Sequence, residues 1–226
     1  QTEVNISNTL KQLVYKGIFH IHDASINNDL EKWNICSIHS NSLPFSPSIT
    51  LLPGIDHLDE FINKGLYFGY NDKGLTLGHT KIIVSSISGS IYPSLNQLVD
   101  QISKSHKYGF PVAIHAVTKD EINITLDALQ IVYSKNNHPH KDRIEHFTEA
   151  TDEIIAKAKT IGVNLVVNPS FIYQNGFRYS QRIPENLQPY TFNYRTLLDN
   201  GFNLAIGSDA PYGNPDPMIN IKAMVN

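Results

Sequence analysis

The sequence predicts a parallel α/β fold, a β/α barrel or a doubly wound sheet, on three observations. Amphipathic segments end at a glycine and pass at once into short apolar runs, where a left-handed C′ residue stops a helix and a buried strand begins. Two capping boxes, Ser94 with Gln97 and Thr118 with Glu121, sit where helices should start. Most of the apolar runs close on a residue able to bind a metal or move a proton: Asp23, His115, His146, Asn168 and Asp209.

In chain order, Leu10, Leu13 and Val14 lead through Gly17 to the run Ile18 to Asp23. Lys81 opens a strand-like run ahead of the Ser94 box. Leu98, Val99 and Ile102 then lead through Gly109 to Phe110 to His115, and the Thr118 box starts the next helix. Arg143 to His146 reads as a strand. Ile154, Ile155, Ala158 and Ile161 lead through Gly162 to Val163 to Asn168, and Leu197 and Leu198 lead through Gly201 to Phe202 to Asp209. Two aromatic, proline-containing stretches, Leu43 to Pro53 and Gln174 to Pro189, read as long functional loops. With no low-complexity segment or charge run there is no domain boundary to place, so 1–226 is expected to form one body. Polar strand ends gather on one face of a β/α barrel, but also at the switch point of a doubly wound sheet. The second alternative lacks a glycine-rich phosphate loop after its first strand.

Composition excludes several function classes. The 226 residues are 41% hydrophobic and 17% charged, the balance of an ordinary folded domain. Eighteen Lys and Arg against 21 Asp and Glu give no basic footprint for nucleic acid or anionic lipid, which leaves a small-molecule substrate. A single cysteine, Cys36, excludes an internal disulfide and a thiolate metal cage and fits a reducing, cytoplasmic compartment. No run approaches the ~18 apolar residues of a membrane span. Gln1 to Asn8 has no signal-peptide character, and the lack of an initiator methionine suggests a partial chain. Oligomeric state is not legible.

Histidines on neighbouring parallel strands lie close enough to share one cation, because strands are ~4.8 Å apart and metal–nitrogen bonds are ~2 Å. His115 and His146 are therefore candidate ligands, with two separately hydrogen-bonded histidines as the plainer alternative. Asp209, in Gly207-Ser208-Asp209-Ala210-Pro211, follows an apolar strand, where an uncompensated carboxylate is costly. It reads as a metal ligand and general base, or else as a helix N-cap. On periodicity alone Lys81 is a surface lysine at a strand end; facing a barrel interior it would be a neutral amine able to form a carbamate. His20 and His22 alternate along a strand, but Ile18, Phe19 and Ile21 do not, so the pair is not assigned as ligands. His39, His57, His79, His106, His138 and His140 read as surface or locally bonded residues.

Taken together, Tyr92-Pro93-Ser94 with Gly109 to Val117, Asp142-Arg143-Ile144-Glu145-His146, Asn168-Pro169-Ser170-Phe171, and Gly207 to Pro211 with Asn214-Pro215-Asp216-Pro217 resemble amidohydrolase family 3. This branch of the amidohydrolase superfamily includes N-substituted formamide deformylases. The resemblance implies a TIM-like β/α barrel, here incomplete: strands two to eight are present, while strand one with its H-x-H and the accessory β-sandwich are lacking. It implies one or two divalent metal ions, usually zinc, held by His115, His146, Asp209 and a carboxylated Lys81, with Asp209 as the catalytic base for water attacking an amide or formamide carbon. His20 and His22 fall one strand beyond the family's H-x-H. Tyr173, Arg178 and Arg182 fall on the loop after strand seven, where substrate contacts are expected. The sequence departs from the family at His115-Ala116-Val117-Thr118-Lys119 and at Ser85 to Gly89, where many members place acidic residues. The competing expectation is a noncatalytic fragment or degenerate barrel that binds a ligand without turnover.

Overall fold

The computed structural model describes residues 2–40, 47–135 and 141–225, with the side chains of 2–5 and 39–40 left out. His138, His140, the His39 side chain and residues 43–46 of the first expected loop lie outside the described residues. The chain divides into two compact units, Gln1–Ile82 with Lys104–Val112, and Ile83–Ser103 with Ala113–Asn226.

In the first unit, α1 (Thr2–Tyr15) leads to β1 (His20–Asp23), α2 (Leu30–Ser40), β2 (Ser48–Leu51), a 3-10 turn at Ile55–His57, α3 (Leu58–Asn63), β3 (Asn71–Asp72) and β4 (Leu75–Leu77). The sheet order is β1-β2-β4-β3, with β1, β2 and β4 parallel and β3 antiparallel to β4. Its core is Leu51, Leu52, Leu58, Phe61, Leu75 and Leu77, all fully buried. Each contributes about 1.5–3 kcal/mol of apolar burial. β2 corrects the loop expected over Leu43 to Pro53: three prolines suggested a loop, but Ile49 and Leu51 are buried and Ser48 to Leu51 pair with β1 in register. Burial together with Asp23 pushes the Cys36 thiol up to about 11, so it stays protonated. In β5 (Thr80–Ile83), Lys81 N–H donates to the Pro53 carbonyl at 2.8 Å and Thr80 N–H to that of Pro111 at 2.8 Å.

Along the rest of the chain, most of it in the second unit, strands alternate with helices. α4 (Leu95–Lys107) precedes β6 (Val112–Ala116). There follow α5 (Lys119–Lys135), β7 (Arg143–His146), α6 (Asp152–Ile161), β8 (Asn164–Val167), α7 (Ser170–Arg182), α8 (Tyr194–Asp199), β9 (Leu204–Ile206) and α9 (Pro217–Val225). β6, β7, β8 and β9 pair in that order, all parallel. Ile114, Ala116, Ile144, Leu165 and Val167 are buried, as expected for strands covered on both faces. The Thr118 box forms in both directions, and at Ser94 the Gln97 side chain reaches back to the cap. Ser94 N–H and Oγ–H donate to Gln97 Oε1 at 3.0 and 2.9 Å; Thr118 N–H donates to Glu121 Oε2 at 3.0 Å and Glu121 N–H to Thr118 Oγ1 at 3.4 Å. Gly17, Gly109, Gly162 and Gly201, the four helix-ending glycines of the sequence pattern, all have left-handed backbones.

The stretch Gln174 to Pro189 is only partly a loop, because α7 continues to Arg182. Phe171, Asn175 and Tyr179 form a half-buried stripe at helical spacing, and no proline arrives before Pro184. Tyr173, Arg178 and Arg182 are therefore exposed helix residues and not loop residues. Of the histidines expected to be surface or locally bonded residues, His106 is buried in α4 and His79 is half-buried. Among the described residues no helix is long and apolar enough to cross a membrane.

Candidate functional site

His115 and His146 end adjacent strands, and their rings meet edge to face with centroids 4.5 Å apart. Strand geometry alone does not produce this contact. In the β6–β7 ladder His115 is level with Glu145 and Ala116 with His146, so extended backbone would put the two imidazoles on opposite faces of the sheet. His146 instead has φ 75°, and the following Phe147 φ 47°. Rotation of φ into the left-handed region swings the His146 side chain out of the strand's alternation and toward His115. Histidine is among the few residue types enriched there, and such backbone concentrates at functional sites because it costs roughly 1–3 kcal/mol. The surroundings hold it: Phe147 N–H donates to the Ala116 and Glu145 carbonyls, both at 3.1 Å, and the Phe171 ring stacks on His146 at 6.2 Å and 13°. His146 is 8% exposed and His115 half-buried, so the pair is open on the His115 side.

Charged side chains fasten the strand ends. Glu121, 4% exposed, accepts from Ser86 N–H and Oγ–H, both at 2.8 Å, from Val117 N–H at 2.9 Å and from Thr118 N–H at 3.0 Å. Burial pushes its pKa up, but these hydrogen bonds to the carboxylate prevail and hold it below the usual range. One buried anion thus ties the segment after β5 to the turn two residues beyond His115. Before β7, Tyr133 Oη–H donates to the buried Asp142 at 2.6 Å; burial, then the Asp142 charge, raises the phenol's pKa. Within β7, Arg143 Nε donates to Glu145 Oε1 at 2.7 Å, an ion pair with both side chains nearly covered. The sequence showed Glu121 only as a capping residue, and the Ser86 contact and the Phe171 stack carried no local signal.

Asp209 lies beyond β9 and is exposed, which corrects the expectation of a carboxylate buried by an apolar strand. β9 pairs with β8 alone among the described strands, so Ala205 and Ile206 stay exposed. Asp209 is also left-handed, φ 51°, and its carbonyl accepts from Tyr212 N–H at 2.9 Å and Gly213 N–H at 3.2 Å. Asn168 Nδ2 donates to the Gly207 carbonyl at 2.9 Å, joining the end of β8 to this turn. Gly213 seals it: a Cβ there would lie 2.0 Å from the Ser208 carbonyl oxygen and 2.8 Å from Ser170 Oγ. Gly213→Ala is expected to destabilise by about 3 kcal/mol, because the obstruction is mainly backbone and the turn must move. Chemical denaturation measures this, and unchanged stability would show that the turn yields freely.

Lys81 is 5% exposed, not the surface lysine that periodicity favoured, and it belongs to the first unit. Tyr173 is exposed on α7, where Lys222 Nζ lies 5.0 Å above its ring and 3.4 Å from its hydroxyl. Arg178 is exposed one turn further on. The two imidazoles of His115 and His146 suit a borderline divalent cation as nitrogen donors. Among the described residues, no group of three or more His, Cys, Asp or Glu side chains is gathered to hold a metal, so Asp209 does not complete such a group with them.

A family model described as an amidohydrolase family matches residues 6–226. The putative amidohydrolase YtcJ of Bacillus subtilis (strain 168) is 28% identical over 124 residues, 55% of this chain and 23% of that protein. The N-substituted formamide deformylase of Arthrobacter pascens is 28% identical over 130 residues, 57% of this chain and 24% of that protein. The aligned part thus spans about a quarter of each of these relatives. An uncharacterized metal-dependent hydrolase from Pyrococcus furiosus superposes with a TM-score of 0.84 at 17% identity, over 99% of this chain and 49% of that one. A second, from Pyrococcus horikoshii OT3, gives 0.83 at 20%, over 98% and 47%. The fold is the α/β arrangement of TIM-like hydrolase barrels, and the chain spans about half the length of these solved structures.

Proposed function

Because this chain belongs to the amidohydrolase family, we propose that it carries the metal-binding part of a hydrolase acting on C–N bonds of the amide or formamide kind. The observation that carries this reading is the His115–His146 contact made by left-handed backbone at His146. Similarity to an N-substituted formamide deformylase favours the formamide class of substrate. One or two divalent cations, zinc by the nitrogen donor set, would polarise the carbonyl and lower the pKa of water to about 7. His115 and His146 hold the cation. Asp209, solvent-exposed and within reach of bulk water, takes the proton of the attacking water and returns it to the departing amine. Lys81, 5% exposed, is the side chain that would be carboxylated in this reading. Tyr173 and Arg178 offer an aromatic face and a guanidinium to the substrate from α7.

Zinc content and hydrolysis of an N-alkylformamide test the proposal. A His115→Ala/His146→Ala variant is expected to lose the zinc equivalent held by these two residues and all turnover; a zinc stoichiometry equal to the parent's would overturn the assignment. The lack of a three-residue donor group among the described residues favours a second reading, a barrel that binds its ligand without turnover. Zinc bound to the parent chain with no hydrolysis of amides or formamides would support it.

A further inference from the structure

Outside that site, β1 presents two exposed histidines whose nitrogens already converge. His20 and His22 alternate with half-buried Ile21 and Asp23, and therefore share the exposed face of the strand. Their rings are 4.9 Å apart, and His20 Nε2 lies 3.0 Å from His22 Nε2. Ser48 Oγ lies within hydrogen-bond reach of His20 Nδ1 and 3.3 Å from the Phe19 carbonyl oxygen. In the tautomer where Nδ1–H donates to that hydroxyl, the lone pair of His20 sits on Nε2, which faces His22 and has Thr50 Oγ1 3.3 Å from it. Ligand imidazoles generally donate their other N–H to a fixed oxygen in this way.

We propose that His20 and His22 form a separate transition-metal site, chelating one borderline cation such as Zn²⁺ or Ni²⁺ through both Nε2 atoms. Two nitrogens bound at ~2.0–2.1 Å to a tetrahedral ion lie roughly 3.3 Å apart. The 3.0 Å separation needs only a small opening to reach that span. The cation replaces the proton shared between the rings, and Ser48 Oγ accepts from His20 Nδ1–H in the tautomer that binds. Water fills the remaining positions, and Thr50 offers a hydroxyl beside them. Ile21 and Asp23 point to the other face, so Asp23 stays with its own partners, Ser25 N–H at 3.0 Å and Asn28 Nδ2 at 3.2 Å.

Equilibrium dialysis against Zn²⁺ tests the site in the intact chain. His20→Gln/His22→Gln is expected to lose one equivalent of zinc that His115→Ala/His146→Ala retains. Ser48→Ala should weaken that equivalent about tenfold while leaving both imidazoles in place. Zinc binding by His20→Gln/His22→Gln that matches the parent in stoichiometry and affinity would overturn the proposal, as would the loss of every equivalent in His115→Ala/His146→Ala.

Discussion

Asp209→Asn is expected to lower formamide turnover by about 10²–10⁴-fold, the usual contribution of a positioned general base. Zinc content should fall far less, because the two histidines are untouched. Turnover equal to the parent would remove Asp209 from the proton transfer. Asp209→Gly extends the test to energetics. Left-handed backbone costs an L-residue roughly 1–2 kcal/mol, partly offset in glycine by its greater freedom in the unfolded chain. Asp209 is exposed at φ 51°, so its truncation leaves no cavity. Asp209→Gly should thus gain about 0.5–1 kcal/mol of stability while losing turnover as Asp209→Asn does. A gain in stability paired with lost activity is the signature of backbone held in an unfavourable state for the chemistry.

Glu121→Ala is expected to cost about 3 kcal/mol or more, because it strips the acceptor from four donors in a nearly closed space. Its effect on activity should follow from the Val117 turn, which lies just past His115. Glu121→Gln should cost less than Glu121→Ala, since one amide oxygen still accepts. The same carboxylate sets a pH dependence. Its folded pKa lies below the ordinary value of 4.5, so its stabilisation is complete above that value and is lost as pH falls through the folded pKa. Acid titration of unfolding should show a loss below about pH 4.5 that is smaller in Glu121→Gln; identical acid profiles in parent and variant would place the loss on other carboxylates.

Much of the fold was legible because its signals are local. A C′ glycine after an amphipathic segment and a capping box before one are short-range chemistry, and Gly162 or Thr118 with Glu121 reads the same in the sequence as in the structure. The failures have equally physical origins. β2 was hidden between prolines because its pairing with β1 comes from distant residues, and α7 was hidden because its aromatic and polar composition resembles a loop. Burial of Lys81 departs from the surface position that periodicity favoured, and exposure of Asp209 from the burial expected after an apolar strand, since a side chain's access to water depends on neighbours far away in sequence.

The residue types at 115, 146 and 209, their order, and their places at strand ends were determined by the sequence alone. Whether the two imidazoles touch was decided only in three dimensions. Register puts His115 level with Glu145, and the left-handed turn at His146 cancels the alternation that would otherwise send the rings to opposite faces. The setting of His20 beside His22 likewise involves Ser48, which reaches the His20 ring from 28 residues away. Such outcomes rest on backbone rotation and register, which local composition does not encode.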